Sequence, residues 1–265
     1  MTDAPTYEDL LYEERNGAAW ITINRPKIYN AFRAKTCDEL SDAIRYAGWN
    51  KNIGVIVLAG AGDKAFCTGG DQGNHDGDYG GKGTIGLSIE EVHSAIRDVP
   101  VPIIARVQGY AIGGGNVLAT LCDFTIASEN AVFGQVGPKV GSVDPGWGTA
   151  YLARIVGEKK AREIWYLCRQ YSAADAEAMG LVNKVVPTEE LDTEIDNWCA
   201  EIMEKSPTAI AIAKRSFNAD SENIRAIGAL GFEALSLFYD TDESKEGVAA
   251  FHEKRKPDFR KKRGS

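Results

Sequence analysis

Three glycine-rich segments contain the residues best able to do chemistry. The first two, KAFCTGGDQ at 64–72 and VQGYAIGGGN at 107–116, each follow an apolar run. Glycines expose backbone N–H groups, and at the start of a helix such donors and the helix dipole favour negative charge. The pair therefore indicates a site for an anion or a developing oxyanion. The alternative is a close crossing of helix and strand that only glycine permits.

The third segment, at 136–148, adds side chains that can transfer protons. Ser142 and Asp144 are two residues apart, which in an extended stretch places both side chains on one side. A hydroxyl and a carboxylate in that arrangement suit acid and base catalysis. The alternative is structural, because aspartate before Pro145-Gly146 is an ordinary turn former.

The three histidines lie too far apart in sequence to suggest a metal site or a Ser-His-Asp arrangement. We interpret His93, on an amphipathic helix, as a surface residue or one with internal hydrogen-bond partners. His75 lies in a polar, glycine-rich insert at 73–86, where its side chain could contact a bound ligand. No metal is predicted.

Bulk composition is that of a soluble enzyme. The chain has 265 residues, 44% of them hydrophobic, and a net charge of −8, which argues against a nucleic-acid surface. Five scattered cysteines indicate a reducing compartment. No signal peptide and no apolar run of membrane-spanning length is apparent, so we expect a cytoplasmic protein without a membrane partner.

The elements that must position these residues alternate along the chain. A hairpin is predicted around Asn16-Gly17, and buried strands near 55–58, 103–107 and 124–127 are separated by turns and helices. Repeated units of this kind predict an α/β fold with stacked ββα turns. We expect a core with the ligand site at 1–200 and a C-terminal helical region at 201–265.

The paired glycine runs resemble the signature of the crotonase (enoyl-CoA hydratase/isomerase) superfamily, and the resemblance extends from about Tyr7 to Arg260. It implies a spiral of ββα units that binds a coenzyme A thioester, with Gly70 and Gly114 donating their N–H groups to the thioester oxygen. It also implies that the C-terminal helices cover the active site and form a homotrimer or homohexamer. No tightly bound cofactor is implied, since the substrate itself carries coenzyme A.

The resemblance also assigns contacts to coenzyme A. Tyr29 stands where the related naphthoyl-CoA synthases usually have an arginine, which leaves Arg33 as a candidate for a phosphate. The implied coenzyme A contacts are Asn30, Ala31, Arg33, Thr68, Gly69, Asp71, Gln72 and Lys254.

Proton-transfer groups distinguish members of this superfamily. The two glutamates of the hydratases correspond to Val117 and Gly137, so simple hydration is disfavoured. Gly137 is expected to leave a space for water or a small anion such as bicarbonate. Ser142, Asp144 and Tyr239 match catalytic residues of the synthases, although Tyr239 could instead be an interface aromatic. The catalytic candidates are therefore Gly70, Gly114, Ser142, Asp144 and Tyr239, and the candidates for the substrate or water pocket are His75, Tyr79 and Gly137.

Two subfamilies compete. The segments at 68–72, 75–77 and 141–146 look most like the 2-ketocyclohexanecarboxyl-CoA hydrolases of anaerobic benzoate degradation, which open a β-ketothioester ring with water to give pimeloyl-CoA. The alternative is the 1,4-dihydroxy-2-naphthoyl-CoA synthases of menaquinone biosynthesis, which close a ring. Lys82 stands where the synthases have a second tyrosine, and the insert is one residue longer. A further alternative is a non-catalytic binder of acyl-CoA or RNA.

Overall fold

The strands of the protein alternate between two sheets. A computed structural model describes residues 5–74 and 79–262. Within these residues the strands are β1 Leu10–Arg15, β2 Ala18–Ile23, β3 Val55–Gly60, β4 Ala65–Cys67, β5 Ile103–Val107, β6 Tyr110–Ile112, β7 Phe124–Ser128, β8 Val132–Gly134, β9 Gln170–Ser172 and β10 Lys184–Val186.

The helices become more numerous toward the C-terminus. Over the same described ranges they are α1 Ala34–Gly48, α2 Ile89–Asp98, α3 Gly114–Leu121, α4 Gly137–Val140, α5 Leu152–Val156, α6 Glu158–Leu167, α7 Ala173–Ala178, α8 Leu191–Met203, α9 Pro207–Asp220, α10 Asn223–Tyr239, α11 Asp242–His252 and α12 Phe259–Lys262. A π-helical turn, Trp147–Tyr151, precedes α5.

The order of the strands shows a repeating ββα unit. The larger sheet has the order β1-β2-β3-β5-β7-β10, and the smaller sheet has the order β4-β6-β8-β9. Thus β3, β5 and β7 lie side by side in one sheet, while β4, β6 and β8, which follow them in the chain, lie side by side in the other. These strands are parallel within each sheet, and α2, α3 and α4 follow the three pairs. The predicted spiral of stacked ββα units is confirmed.

Apolar runs in the sequence become the centre of the larger sheet. All six residues of β3 are buried, as expected of a parallel strand covered on both faces. The main core cluster includes buried residues of α1, α2 and α3, and a second cluster places Leu191, Ile195 and Cys199 of α8 against the sheet. The helices therefore fix the sheet from both sides and hold the strand ends, where the glycine turns begin.

Helix α1 starts later than the sequence predicts. The sequence from Asn30 to about Trp49 predicts an amphipathic helix, but Tyr29 and Asn30 have φ of 56° and 55°, which is left-handed backbone. Asn30 is buried, its side-chain Oδ1 accepts from the Arg25 backbone N–H at 3.0 Å, and its side-chain Nδ2 donates to the Ala61 and Ala65 carbonyls at 3.0 and 2.7 Å. These bonds stabilise the loop in place of a helical turn.

The C-terminal helices pack onto the ββα units. Helix α10 contacts the π-helical turn, and α11 contacts α4. The boundary predicted at residue 200 falls inside α8, and the division into two units stays a prediction. No helix in the described ranges is both long and apolar enough to cross a membrane.

Candidate active site

A cavity of about 1080 Å³ lies where the glycine turns meet the C-terminal helices. Its walls come from the loops after β2, β4 and β8, from the start of α3, and from α10 and α11. Of the predicted site residues, those that line it are Ala31, Thr68, Gly69, Gly70, Asp71, Gln72, Tyr79, Gly114, Gly137, Ser142, Asp144, Tyr239 and Lys254.

The first two glycine turns touch each other at one wall. Gly69 has a φ of +87°, and a Cβ added there would lie 2.9 Å from the Gly114 nitrogen. A Cβ at Gly114 would lie 2.6 Å from the Phe32 ring and 3.3 Å from the Gly69 Cα. Side chains are therefore excluded from this contact, and the close backbone approach explains why the sequence has glycine in both turns.

The backbone around Gly70 directs its N–H toward the cavity. Phe32 donates to the Gly69 carbonyl at 2.9 Å and accepts from the Asp71 N–H at 2.8 Å, which forms a parallel bridge beside Gly70. In such a bridge the N–H and carbonyl groups of the intervening residue, here Gly70, point away from Phe32. Gly114 is the first residue of α3, so its N–H has no intrahelical partner. No partner for either N–H is recorded in the described part of the chain.

A pair of hydroxyls marks another wall. The Ser142 Oγ and Tyr239 Oη lie 2.8 Å apart and are hydrogen-bonded. Tyr239 is buried on α10, and burial raises its pKa to about 12, with the Ser142 bond opposing and nearby Asp144 adding to the rise. The phenol is therefore protonated at neutral pH, and the pair can donate a hydrogen bond to an oxygen that gains negative charge.

Asp144 lines the same cavity in an environment that disfavours its charge. Its Oδ1 accepts one bond, from the Gly148 N–H at 3.0 Å. Burial of the carboxyl group raises the pKa of Asp144 to about 7, against the lowering effect of the Gly148 bond. The Trp165 indole N–H donates to the Gly148 carbonyl at 2.5 Å and holds the π-helical turn in place. A carboxyl that titrates near neutrality is suited to exchange protons with a ligand.

The space expected beside Gly137 is filled by other atoms of the protein. A Cβ there would lie 2.5 Å from the Ser142 carbonyl oxygen and 2.9 Å from the Trp165 ring. The prediction that this glycine leaves room in the direction of a side chain is therefore wrong, although its backbone lines the cavity. Binding of water or bicarbonate near Gly137 stays a prediction.

Gln135 is the polar group that fits such a ligand, and sequence reasoning missed it. It is 1% exposed, it lines the cavity, and neither amide atom has a partner among the described residues. A buried amide without partners is costly, so the site is suited to a water or small anion. A polar residue directly after the buried β8 was the signal that could have revealed it.

The mouth of the cavity is cationic. Among the described residues that line the cavity, the cations are Lys27, Lys139 and Lys254, and each is exposed. Arg33 is not brought to this cavity: its guanidinium donates to Asp9 at 2.9 Å and to Glu8 at 2.6 Å.

Two other residues predicted to contact coenzyme A form hydrogen bonds or ion pairs within the loops around the cavity. The buried Asn30 side chain is used by its own loop, and Asp71 pairs with Arg25 at 3.0 Å. Both stabilise the walls. His75 lies outside the described residues, so its place in the pocket stays a prediction.

His93 differs from its interpretation as a surface or hydrogen-bonded residue. It is 1% exposed, and neither ring nitrogen has a partner in the described ranges. Burial lowers its pKa to about 3. Its ring lies 6.4 Å from Phe232, which lines the cavity, so the neutral imidazole forms part of the packing behind that wall.

Comparison with known proteins assigns this geometry to a family. The model of the family described as "Enoyl-CoA hydratase/isomerase" matches residues 13–262, which is most of the chain. The chain belongs to the enoyl-CoA hydratase/isomerase family. Its members process acyl-CoA substrates and are often oligomeric, so this protein is an acyl-CoA-processing enzyme of the crotonase superfamily.

Solved structures of enoyl-CoA hydratase/isomerase proteins share the fold over nearly the whole chain. An enoyl-CoA hydratase from Mycobacterium avium subsp. paratuberculosis K-10 is 30% identical, with 96% of this chain and 99% of that chain covered and a TM-score of 0.85. An enoyl-CoA hydratase/isomerase from Pseudoalteromonas atlantica T6c is 27% identical, with 95% and 99% covered and a TM-score of 0.86. One from Xanthobacter autotrophicus Py2 is 27% identical, with 94% of each chain covered and a TM-score of 0.83.

Proposed function

We propose that the enzyme opens a cyclic β-ketoacyl-CoA with water, converting 2-ketocyclohexanecarboxyl-CoA to pimeloyl-CoA by a retro-Dieckmann cleavage. The observation that carries the proposal is the position of Asp144, a carboxyl with a pKa of about 7 that lines one cavity with the Ser142–Tyr239 pair. The amides of Gly70 and Gly114 line the same cavity. One group can thus activate water while the others receive charge.

The first step is the addition of water to the ring ketone. Asp144 takes a proton from the water, and the unpartnered Gln135 amide holds that water in the cavity. The hydroxide forms a bond to the ketone carbon, whose oxygen becomes an alkoxide. Ser142 and Tyr239 donate to that oxygen, and a positioned proton-transfer group of this kind contributes roughly 10²–10⁴-fold to rate.

The second step breaks the carbon–carbon bond. The alkoxide collapses to a carboxyl group, and the electron pair of the broken bond passes into the thioester as an enolate. Gly70 and Gly114 then donate to the enolate oxygen. Because such donors are fixed before the reaction, each is worth roughly 3 to 4 kcal/mol in enzymes where one has been removed.

The residues at the hydratase positions argue against simple hydration. Val117, at one glutamate position, is buried in the core with no exposed surface. Gly137, at the other, has its side-chain direction filled by Ser142 and Trp165. Neither position supplies the proton-transfer group that adding water to a double bond requires.

The apolar lining favours a neutral ring as the acyl group. Aliphatic and aromatic side chains from the loop before α2 and from α10 face the cavity, whereas the lining cations of the described chain lie exposed at its mouth. An apolar wall suits the hydrocarbon part of a cyclic acyl group, because its burial there removes apolar surface from water. These apolar residues are Ile85, Leu87, Ile89, Phe232 and Leu235.

The naphthoyl-CoA synthases close a ring, and that reaction would use the same catalytic groups in the reverse direction. Identification of the products must therefore distinguish ring opening from ring closure. The protein is incubated with 2-ketocyclohexanecarboxyl-CoA and, separately, with o-succinylbenzoyl-CoA, and products are identified by mass spectrometry. We expect a gain of one water from the first substrate and no reaction of the second. Loss of water from o-succinylbenzoyl-CoA, without ring opening of the first substrate, would refute the proposal.

We also propose a homotrimer or homohexamer in the cytoplasm. Large apolar side chains are exposed on α9 and α10, including Phe217 at 78%, Leu230 at 75% and Leu237 at 72%, and a subunit contact would cover them. Light scattering coupled to gel filtration tests the assembly. A monomer at micromolar concentration would contradict it.

A further inference from the structure

The proposed cleavage leaves an enolate that needs a proton at its α-carbon, and Tyr79 is placed to supply it. Its phenol ring lies over Gly70: a Cβ at Gly70 would meet the Tyr79 Oη at 2.5 Å and its Cζ at 2.9 Å. Gly70 is one of the two donors assigned to the thioester oxygen. The α-carbon is bonded to the carbon that carries this oxygen, so an acid beside Gly70 is close to the α-carbon.

Gln72 fixes the position of this phenol. Its Nε2 donates to the Tyr79 Oη at 3.2 Å and to the Gly70 carbonyl at 3.3 Å, so one amide holds both the phenol and the glycine turn. Because the Oη accepts from Gln72, its own proton serves as a donor toward another group. Tyr79 is thus oriented by the turn that supplies the oxyanion donor.

The environment keeps Tyr79 protonated. Burial raises the pKa of Tyr79 above its ordinary value, and the neighbouring Tyr239 raises it further. Both tyrosines line the cavity, but they serve different parts of it, since Tyr239 is bonded to Ser142 and Tyr79 is bonded to Gln72. The cavity therefore has one phenol for the ketone oxygen and one beside the thioester.

We propose that Tyr79 is the acid that protonates the α-carbon in the ring opening, a role that rests on the proposed function. Asp144 takes one proton from water, and the hydroxide forms the new C–O bond. The ring C–C bond breaks, and its electron pair becomes the enolate. That pair forms a C–H bond with the Tyr79 proton, Asp144 releases its proton to solvent, and Tyr79 regains one from solvent. The sum adds one water and needs no other reactant.

The test compares Tyr79→Phe with the unaltered enzyme on two substrates. On 2-ketocyclohexanecarboxyl-CoA we expect turnover to fall 10²–10⁴-fold, the usual contribution of a positioned acid, with unchanged affinity for coenzyme A by calorimetry. The second substrate carries a methyl group on the α-carbon, so that its product, 2-methylpimeloyl-CoA, gains a stereocentre. After the thioester is hydrolysed, the unaltered enzyme should yield one enantiomer of 2-methylpimelic acid, and Tyr79→Phe should yield both, because solvent then protonates the enolate.

Two further variants make the result specific to Tyr79. Tyr166→Phe changes an exposed tyrosine on α6 that accepts from Arg162, and it should leave rate and configuration unchanged. Tyr239→Phe should slow the reaction but retain one enantiomer, because it acts at the ketone.

Three outcomes would overturn the role of Tyr79. One is a Tyr79→Phe protein that binds coenzyme A and loses less than tenfold in turnover. Another is such a protein that still forms one enantiomer, and a third is an unaltered enzyme that forms both. An unaltered enzyme that opens neither ring would instead refute the proposed function, and the role of Tyr79 with it.

Discussion

The two ends of the cavity differ in the residues that line them. The mouth has exposed lysines and left-handed backbone, with Lys254 at a φ of 53° and Tyr29 at 56°. The inner end has buried hydroxyls and one carboxyl, Asp144, among apolar side chains. The mouth suits coenzyme A, which all acyl-CoA molecules share, whereas the groups at the inner end determine which reaction occurs. Substitutions at the mouth should therefore lower the affinity for coenzyme A, whereas substitutions at the inner end should lower turnover.

The largest effect is expected from Asp144→Asn. Removing the base should lower kcat roughly 10³-fold or more, near the upper part of the range for such groups, while the affinity for coenzyme A stays unchanged. In the unaltered enzyme, kcat/KM should rise as pH increases through about 7, because the carboxylate is the active form. Steady-state kinetics between pH 5 and 9 measure both.

The matched control for Asp144→Asn is Asp196→Asn. Asp196 is half exposed and pairs with Arg15 on the outside of α8. Asp196→Asn should have the same kcat and the same affinity for coenzyme A as the unaltered protein. If Asp144→Asn kept more than a tenth of the turnover, Asp144 would not be the base.

Gly114→Pro should have the next largest effect. Proline is tolerated at the first position of a helix and removes the N–H there, although its Cβ would also lie 2.6 Å from the Phe32 ring. Relative to Gly114→Ala, the loss of the oxyanion donor should cost roughly 3 kcal/mol, about a hundredfold in kcat. Gly114→Ala is the control, because it adds the same Cβ near Phe32 but keeps the N–H. Kinetics on both variants isolate the donor, and equal turnover by the two proteins would rule against it.

A change behind the inner wall should alter stability and leave chemistry intact. The pKa of His93 is about 3 in the fold and about 6.5 in the unfolded chain, so below pH 6.5 the unfolded chain binds more protons. Stability should therefore fall as pH drops from 6.5 toward 3, by about 2 kcal/mol between pH 6.5 and 5. His93→Leu should remove this contribution.

Urea unfolding of both proteins at pH 7.5 and 5 measures the contribution of His93. The difference in unfolding free energy between the two pH values should be smaller in His93→Leu. An equal difference in the two proteins would show that His93 is not a buried neutral group.

The sequence predicted the glycine turns better than the packing behind the cavity wall. Glycine runs after apolar strands report a backbone requirement that is local, and the structure places Gly69 and Gly114 in contact. The filled space at Gly137 depends on Trp165, which is distant in sequence and reaches the site through α6. His93 was misread because its burial depends on packing behind α10.

Arg33 shows the same limit for charged residues. A cation near a ligand-binding loop suggests a phosphate contact, but the sequence does not show that Asp9 and Glu8 take its guanidinium. Burial and pairing across distant segments are set by the whole fold. The predictions that failed were those that needed such information.

The smallest effect should come from the mouth, at Lys254. It follows the end of α11 at the position where helices commonly end with a left-handed glycine, so its conformation is strained for any other residue. Its side chain lines the cavity, where the ammonium group can pair with a phosphate of coenzyme A. Lys254→Gly should weaken coenzyme A binding about two- to fivefold, as expected of one exposed ion pair, yet leave kcat unchanged and make the protein slightly more stable. Lys254→Ala should lose the same affinity without the gain in stability. Calorimetry in low and high salt, with thermal unfolding, distinguishes these results, and a fall in kcat equal to that of Asp144→Asn would remove the distinction between the two ends.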